Sequence, residues 1–300
     1  MLSAQLIEYL ASMIAPVEND SAQPDDHNAS GQPASKKLCA GEDRPEVKVS
    51  TAWATLLDAE APTTLRPLEG ESAREHYGGG ALLQLEKFLT DAECERLNAA
   101  AERVGYGKTS YPQEYRGNRR LITTDPSLAE RLWERLRPHV PEYLEGKPLP
   151  DDNDHQPSSS TWRACGLNEC FRLAKYHPGH RFASHCDANF VRHDDNMSFY
   201  TVNIYLNTVE KGGGGATRFY TEKASRRGSR LSLARPLGPE DCDLAIQPEA
   251  GLAVVFLQPP QAQLLHDGEE LVKGFKYLLR TDIMYRRFEA PKQHKVKQYG

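Results

Sequence analysis

Two His-x-Asp patterns in this chain could each supply two metal ligands: His185-Cys186-Asp187 and His193-Asp194-Asp195. Residues two apart on a β-strand share a face, so the histidine and the carboxylate of one pattern can converge on a single ion. A further histidine would complete a facial triad of two histidines and one carboxylate. Such a triad leaves adjacent metal positions free, which is the geometry needed to hold a chelating cosubstrate and O2 together.

Sequence context separates the two patterns. The pattern at His185 lies directly after a strand, in the run Tyr176–Asp187, whereas the pattern at His193 lies in a polar loop beside Arg192 and Asn196. Polar loops are usually solvated surface. We therefore predict that His185 and Asp187 are metal ligands and that His193 is a surface residue.

The third ligand must come from a distant strand, and His266 is the best-placed histidine. It follows the strand-like run Gln263–Leu265, and a hairpin with the preceding run Leu252–Gln258 would bring it to the mouth of a barrel. The other histidines lie in polar, proline-flanked or terminal stretches, and His177 and His180 surround a turn, where we expect hydrogen-bonding surface residues. Two histidines and one carboxylate also describe hydrolytic zinc sites, so the ligand set leaves the metal open.

A lysine that could bind an iron-chelating cosubstrate would favour iron over zinc. The dicarboxylate 2-oxoglutarate chelates iron at one end, and its second carboxylate needs a buried cation, because an unpaired buried charge is very costly. Lys276 lies ten residues beyond His266, at the head of a strand-like run. We predict that Lys276 is this anchor. Arg280 shares its strand face and could replace it or line a substrate pocket.

Two helices and a series of short strands must position these residues. After a strand over Ala81–Leu89, Thr90 and Glu93 form a capping box for a helix that extends to about Arg103. Asp125 caps a second helix, which must stop before Pro138. The strands predicted after Trp162 are Glu169–His177, Phe199–Asn207, Ala216–Tyr220, Asp243–Gln247, Leu252–Gln258, Gln263–Leu265 and Lys276–Tyr285. This order predicts a mainly β fold with flanking helices, a double-stranded β-helix or jelly roll, with Gly212–Gly215 as a turn.

Composition predicts a mildly acidic soluble protein. The 300 residues carry a formal net charge of -5 and no basic stripe for nucleic acid. No run approaches the roughly 20 apolar residues that cross a bilayer, and the opening residues lack the basic start of a secretory signal. The six cysteines are dispersed and indicate reduced thiols, with a Cys165–Cys170 bridge as the less favoured alternative. We expect a cytoplasmic protein without nucleic-acid or membrane partners, and its oligomeric state stays open.

Three segments are expected along the chain. Residues 1–75 are rich in Ser, Pro, Asp and Glu with little apolar periodicity, which predicts a disordered N-terminal arm. Residues 76–290 form the folded domain, and residues 291–300 form a polar tail. Within the domain, the run Tyr115–Arg120 could contact a substrate, although a solvated charge run is the expected interpretation.

From about Ala81 to Arg287 the chain resembles the prolyl 4-hydroxylase-like branch of the Fe(II)/2-oxoglutarate oxygenases. The resemblance is carried by five features: the opening Leu85–Cys94, the Y-x-x-G-x-x-F-x-x-H-x-D run that ends at Asp187, Tyr205-Leu206-Asn207, Gly215–Phe219, and His266 to Lys276. It implies that His185, Asp187 and His266 bind Fe(II) and that Lys276 pairs with the distal carboxylate of 2-oxoglutarate. Tyr176 and Tyr205 resemble the family's hydroxyl donors to this cosubstrate, and Thr217 is a further candidate.

The resemblance also implies an activity. With Fe(II), 2-oxoglutarate, O2 and, as an additional cofactor, ascorbate, the domain would hydroxylate an unactivated C–H bond and release succinate and CO2. Peptidyl proline is the first expectation for the substrate, and a small molecule such as a free amino acid, or another side chain, is the second. The alternative class is a non-catalytic jelly-roll module that holds a metal or a partner without turnover.

Overall fold

The computed structural model describes residues 45–49, 52–146, 160–220, 241–259 and 261–288. Its α-helices are α1 (Glu71–Tyr77), α2 (Asp91–Val104) and α3 (Pro126–Leu136), with short 3-10 turns at Trp53–Leu56 and Arg137–His139. The strands are β1 (Val47–Val49), β2 (Thr64–Arg66), β3 (Leu82–Glu86), β4 (Gly107–Lys108), β5 (Arg119–Thr124), β6 (Tyr143–Gly146), β7 (Ser160–Leu167), β8 (Cys170–Tyr176), β9 (Phe182–His185), β10 (Val191–His193), β11 (Asn196–Tyr205), β12 (Thr217–Tyr220), β13 (Cys242–Ile246), β14 (Ala253–Leu257), β15 (His266–Gly268) and β16 (Lys276–Phe288).

Eight of these strands form the two facing sheets of a jelly roll. The larger sheet has the central order β8-β16-β11-β14, and the smaller sheet has the order β13-β12-β15-β9. The chain passes repeatedly from one sheet to the other, and all pairings among these strands are antiparallel. The two sheets are not closed into a barrel. The predicted mainly β fold with flanking helices, a double-stranded β-helix, is confirmed.

The two predicted helices are present and pack on the outer face of the larger sheet. Thr90 and Glu93 form the expected capping box of α2, and the Asp125 side chain accepts a hydrogen bond from the Leu128 amide at the start of α3. Leu97 of α2 and Leu132 of α3 are fully buried in one apolar cluster with alternate residues of β11. A second cluster fills the space between the two sheets, where Phe219 and Phe256 meet edge to face.

The prediction of a disordered arm over residues 1–75 is wrong for the described part of that range. Strand β1 pairs in parallel with β5, β2 pairs with β3, and the Trp53 side chain is 1% exposed in the main core. The Trp53 amide donates to Asp125, the residue that also caps α3. A few large apolar residues can order a polar segment by packing on a preformed core, and such packing leaves no periodicity in the sequence. The arm before residue 45 and the predicted tail, 291–300, lie outside the described residues.

The expected hairpin in front of His266 is also wrong. Strand β14 pairs with β11 and β3 in the larger sheet, whereas β15 starts at His266 itself and pairs with β12 and β9 in the smaller sheet. The chain therefore crosses between sheets where the sequence suggested a tight reversal. His266 still reaches the inside of the jelly roll, because β15 lies beside β9.

Three smaller predictions can be checked directly. Gly212–Gly215 forms a turn, with positive φ at Gly212, Gly214 and Gly215. The described cysteines, including Cys165 and Cys170, are free thiols. No helix in the described part of the chain is long and apolar enough to span a membrane.

Candidate metal centre

His185, Asp187 and His266 meet inside the jelly roll as predicted. One possible ligand atom from each lies within 4.8 Å of the others. The Nε2 atom of His185 is 3.6 Å from Asp187 Oδ1, and the Nε2 atom of His266 is 3.7 Å from Asp187 Oδ2. Among the described residues, this is the one group of three or more possible ligand side chains that could hold a metal ion.

Strand pairing explains why these residues converge. His185 ends β9 and is the register partner of His266 at the start of β15. Each imidazole uses its Nδ1 atom to hydrogen-bond a carbonyl two residues earlier, of Ala183 at 2.8 Å and of Leu264 at 2.9 Å. These bonds leave both Nε2 atoms for a metal, which is the usual orientation of metal-binding histidines. Burial lowers the pKa of His266 to about 4, so its imidazole is neutral at physiological pH and able to donate its lone pair.

The Asp187 carboxylate is buried and held by two neighbours. Thr201 donates a hydrogen bond to its Oδ2 atom at 2.8 Å, and Arg280 Nη2 lies 3.1 Å from its Oδ1 atom. Burial opposes ionisation of this carboxyl, but Arg280 and the two histidines outweigh burial and hold its pKa well below the usual range. Two imidazoles with free Nε2 atoms and one buried carboxylate, each oriented by a second partner, fit a divalent metal.

Lys276 lines the same pocket from β16 of the larger sheet, opposite the two histidines. Its side chain is buried, and its Nζ atom donates one hydrogen bond to Gly215 O at 2.6 Å. The ammonium lies 5.2 Å from the centre of the Tyr176 ring and 5.4 Å from that of Tyr205. No carboxylate of the described residues lies within ion-pairing distance of it, and burial lowers the pKa of Lys276 to about 8. A cation in this position lacks its anion and has donors to spare.

The predicted hydroxyl donors take different positions around Lys276. Tyr176 is the register partner of Lys276 and lines the pocket. Thr217 also lines it, and Tyr205 donates a hydrogen bond to Thr217 Oγ1 at 2.6 Å. Tyr205 therefore orients Thr217, and Tyr176 and Thr217 are the hydroxyls that face the pocket. Their contact with a cosubstrate stays a prediction.

The inner face of the larger sheet contributes residues that the sequence interpretation missed. Thr201 and Asn203 alternate along β11, and Asn203 and Arg172 are both register partners of Arg280 on β16. The Asn203 Oδ1 and Arg280 Nε atoms are buried without a hydrogen-bond partner in the described structure. Orphaned polar atoms beside a pocket indicate that a polar ligand completes their hydrogen bonds. The sequence signal that could have identified Thr201 and Asn203 is their position two residues apart in an otherwise apolar part of β11, which places both side chains on one face.

The remaining candidates stay outside the centre. His193 is exposed at the end of β10, as predicted for a surface residue. His180, expected on the surface, is buried, and its Nδ1 atom accepts a hydrogen bond from the His177 amide at 3.2 Å. It closes the turn before β9.

The run Tyr115–Arg120, expected as a solvated charge run, contributes Arg116 to the pocket lining. The Arg116 guanidinium carbon lies 4.4 Å from the centre of the Phe182 ring, which stacks on His185 with 3.8 Å between ring centres. The expectation of full solvation is therefore wrong for Arg116, because this segment runs beside β9 and forms an isolated antiparallel bridge between Arg116 and Phe182.

A protein-family model described as the 2OG-Fe(II) oxygenase superfamily matches residues 171–281. This range contains His185, Asp187, His266 and Lys276. The chain carries a 2OG-Fe(II) oxygenase domain. It is an oxidoreductase that uses Fe(II), 2-oxoglutarate and O2, and the alternative of a non-catalytic jelly-roll module is set aside. The donor set described above fits Fe(II).

Comparison with curated proteins gives no match. Solved structures similar to this chain include the viral collagen prolyl hydroxylase from Paramecium Bursaria Chlorella virus-1, at 18% identity and a TM-score of 0.43, with 70% of this chain and 98% of that chain covered. A Pseudomonas putida prolyl-4-hydroxylase matches at 18% identity and a TM-score of 0.39, covering 71% and 96%. HygX from Streptomyces hygroscopicus, with nickel and 2-oxoglutarate bound, matches at 14% identity and a TM-score of 0.45, covering 74% and 88%. The fold assignment rests on the strand order of this chain itself.

Proposed function

We propose that this enzyme hydroxylates an unactivated C–H bond of peptidyl proline and releases succinate and CO2. The observation that carries the proposal is that the ligand atoms of His185, Asp187 and His266 open into the pocket that also holds the buried Lys276 ammonium. A metal site and a cation for a dicarboxylate thus share one cavity.

Each wall of the pocket has a separate task in this proposal. Bound Fe(II) would supply the oxygen chemistry, and His185, Asp187 and His266 would hold it. Lys276 would bind the distal carboxylate of 2-oxoglutarate, with hydroxyl hydrogen bonds from Tyr176 and Thr217. Since Asp187 occupies the carboxylate position, a halide has no vacated ligand position, which favours hydroxylation over halogenation.

Exposed aromatic side chains beside the pocket residue Phe182 support a proline-containing substrate. Tyr111 and Tyr115 are 45% and 39% exposed, and the Tyr115 ring meets the pocket residue Phe182 edge to face at 5.7 Å. Aromatic surfaces of this kind bind proline rings at low entropic cost, because a proline-rich segment is already extended. These exposed aromatic rings therefore suit an extended peptide.

The test is incorporation of an oxygen atom from labelled O2. The protein is incubated with Fe(II), 2-oxoglutarate, ¹⁸O2 and a set of proline-containing peptides, with and without ascorbate, and the products are analysed by mass spectrometry. We expect one labelled oxygen on proline and one succinate per product for wild type and for His193→Ala, and neither for His185→Ala. Succinate formation without label in any peptide would contradict peptidyl proline hydroxylation.

We also propose a cytoplasmic location. The free thiols of the described cysteines support it, since reduced cysteines are typical of reducing compartments. Imaging of a tagged chain in its source cells tests this, and a periplasmic or secreted signal would contradict it.

A further inference from the structure

Arg116 is a cation at the pocket without a carboxylate partner in the described part of the chain. Its Nε atom donates a hydrogen bond to Asn118 Oδ1 at 3.0 Å, and its guanidinium lies over the rings of Phe182 and Tyr111 at 4.4 and 5.6 Å. Burial lowers the pKa of Arg116, and the cations of Arg120 and Arg280 act in the same direction. Such an environment favours an anion beside the guanidinium.

The other described arginines around the pocket have carboxylate partners. Arg218 forms a bidentate salt bridge with Asp267, with N–O distances of 2.6 and 2.9 Å. Arg280 lies 3.1 Å from Asp187 and 3.4 Å from Asp282. Arg172, which lines the pocket, lies 3.5 Å from Asp282, and Arg120 of β5 pairs with Glu46. Lys276 is assigned to 2-oxoglutarate in the proposed function. Among the described residues that line the pocket, Arg116 is therefore the positive charge that remains for a second ligand.

The backbone around Arg116 fixes its position. The Gly117 amide donates to Arg181 O at 3.0 Å, and the Ala183 amide donates to Tyr115 O at 2.8 Å. Arg116 is thus flanked by two backbone hydrogen bonds, one to Ala183 of β9, the strand that carries His185, and one to Arg181, directly before that strand. Only one ring, Phe182, separates its guanidinium from that predicted metal ligand. A group bound by Arg116 would lie beside the metal-facing end of the pocket, and its site would be preformed.

We propose that Arg116 binds a carboxylate of the primary substrate, whose apolar part packs against Phe182, Tyr111 and Tyr115. The inference rests on the proposed function and narrows its substrate class to one that carries an anionic group close to the oxidised carbon. A guanidinium suits this task, because its planar donors match a carboxylate and its face stacks on aromatic rings. The carboxylate could belong to a small molecule or to an acidic residue next to proline in a peptide.

The experiment uses two matched pairs of probes, one for each source. N-acetyl-L-proline is compared with its primary amide, and acetyl-Asp-Pro-Gly-amide is compared with acetyl-Asn-Pro-Gly-amide. Each probe is titrated calorimetrically, under nitrogen, into protein loaded with Fe(II) and 2-oxoglutarate. We expect the acid of at least one pair to bind about tenfold or more tightly than its neutral partner, as lost charge-assisted hydrogen bonds predict. The probe pair in which the acid binds more tightly than its neutral partner identifies whether the carboxylate comes from a small molecule or from a peptide.

Two variants assign the effect to Arg116. Arg116→Gln should abolish the acid-to-amide ratio and leave the affinity for 2-oxoglutarate unchanged, which also shows that the variant is folded. Arg163→Gln should keep the ratio, because Arg163 of β7 does not line the pocket. Like Arg116 it lies over a tyrosine ring, that of Tyr143 at 5.8 Å, but it pairs with Glu142.

Three outcomes would overturn the inference. One is that neither acid binds below about 10 mM, which is a very weak interaction. Another is that the ratio survives in Arg116→Gln. The third is a loss of 2-oxoglutarate affinity in Arg116→Gln, which would reassign Arg116 to the cosubstrate. Binding of an acid that is never oxygenated would instead contradict the proposed hydroxylation and leave the carboxylate site standing.

Discussion

Burial of the Lys276 ammonium destabilises the folded protein unless an anion binds beside it. It is 2% exposed, and within the described structure its ammonium donates one hydrogen bond, to a carbonyl. Charged groups in such surroundings are expensive to bury unless they are paired. The residue is therefore better explained by ligand binding than by stability.

Lys276→Met separates these two explanations. Losing a charge-assisted contact to a buried carboxylate costs on the order of 2–3 kcal/mol of binding free energy, and leaving the carboxylate of 2-oxoglutarate without a partner increases this cost. The KM for 2-oxoglutarate should therefore rise roughly a hundredfold. The free energy of unfolding should increase, because a buried charge is replaced by an apolar side chain of similar length. Succinate assays and urea unfolding measure the two effects.

Arg280→Ala is the paired control on the same strand face. Its Nη2 atom is already shared by Asp187 and Asp282, so the variant should weaken metal binding while changing the KM for 2-oxoglutarate little. A large cosubstrate defect in Arg280→Ala, with none in Lys276→Met, would place the anchor four residues further along β16.

The pKa of Lys276 predicts a pH dependence for cosubstrate binding. Burial lowers this pKa to about 8 in the free protein. The ammonium is charged below this pH and neutral above it, so kcat/KM for 2-oxoglutarate should be independent of Lys276 ionisation below about pH 8 and fall about tenfold per unit at higher pH. Steady-state assays across this range, with Lys276→Arg as control, measure it. A wild-type profile as flat as that of Lys276→Arg up to about pH 9.5 would exclude the dependence.

At the scale of helices and strands, the features that the sequence predicted correctly are those that depend on the spacing of nearby residues. The capping residues Thr90 and Asp125 and the His-x-Asp pair follow from interactions within a few residues, and the structure contains all of them. The sheet to which β15 belongs depends on pairing with strands far along the chain, and no local pattern encodes that choice. For the same reason the sequence predicted a solvated Arg116, since its place beside Phe182 depends on a contact between distant segments.

Trp53 tests whether the segment before α1 is part of the folded domain. Its side chain is 1% exposed, and its amide shares Asp125 with the start of α3. Trp53→Ala should lower the free energy of unfolding by about 3–5 kcal/mol, as large-to-small changes in a core do. Leu65→Ala, at a position that is 54% exposed in β2, should change it by less than about 0.5 kcal/mol. Equal, small effects in urea unfolding would show that the segment does not contribute to the core.

At the scale of the whole molecule, the jelly roll divides the proposed cofactor site between its two sheets. The smaller sheet carries His185 and His266, and the larger sheet carries Lys276 and the partners of Asp187. The gap between the sheets therefore sets the distance between the predicted metal ligands and the predicted anchor. A dicarboxylate that chelates the metal and reaches Lys276 would connect the two sheets, so its binding should protect the whole domain from unfolding.

The most direct test of the central claim is the visible absorption of the protein under nitrogen. A 2-oxoglutarate molecule that chelates Fe(II) in this site should give a weak metal-to-ligand charge-transfer band, which requires both components together. We predict the band in wild type and in His193→Ala, and its loss in His266→Ala and Asp187→Ala variants whose circular dichroism shows an intact fold. A band that persists in either of the last two variants, or that disappears in His193→Ala, would contradict the assignment of His185, Asp187 and His266 as the iron site.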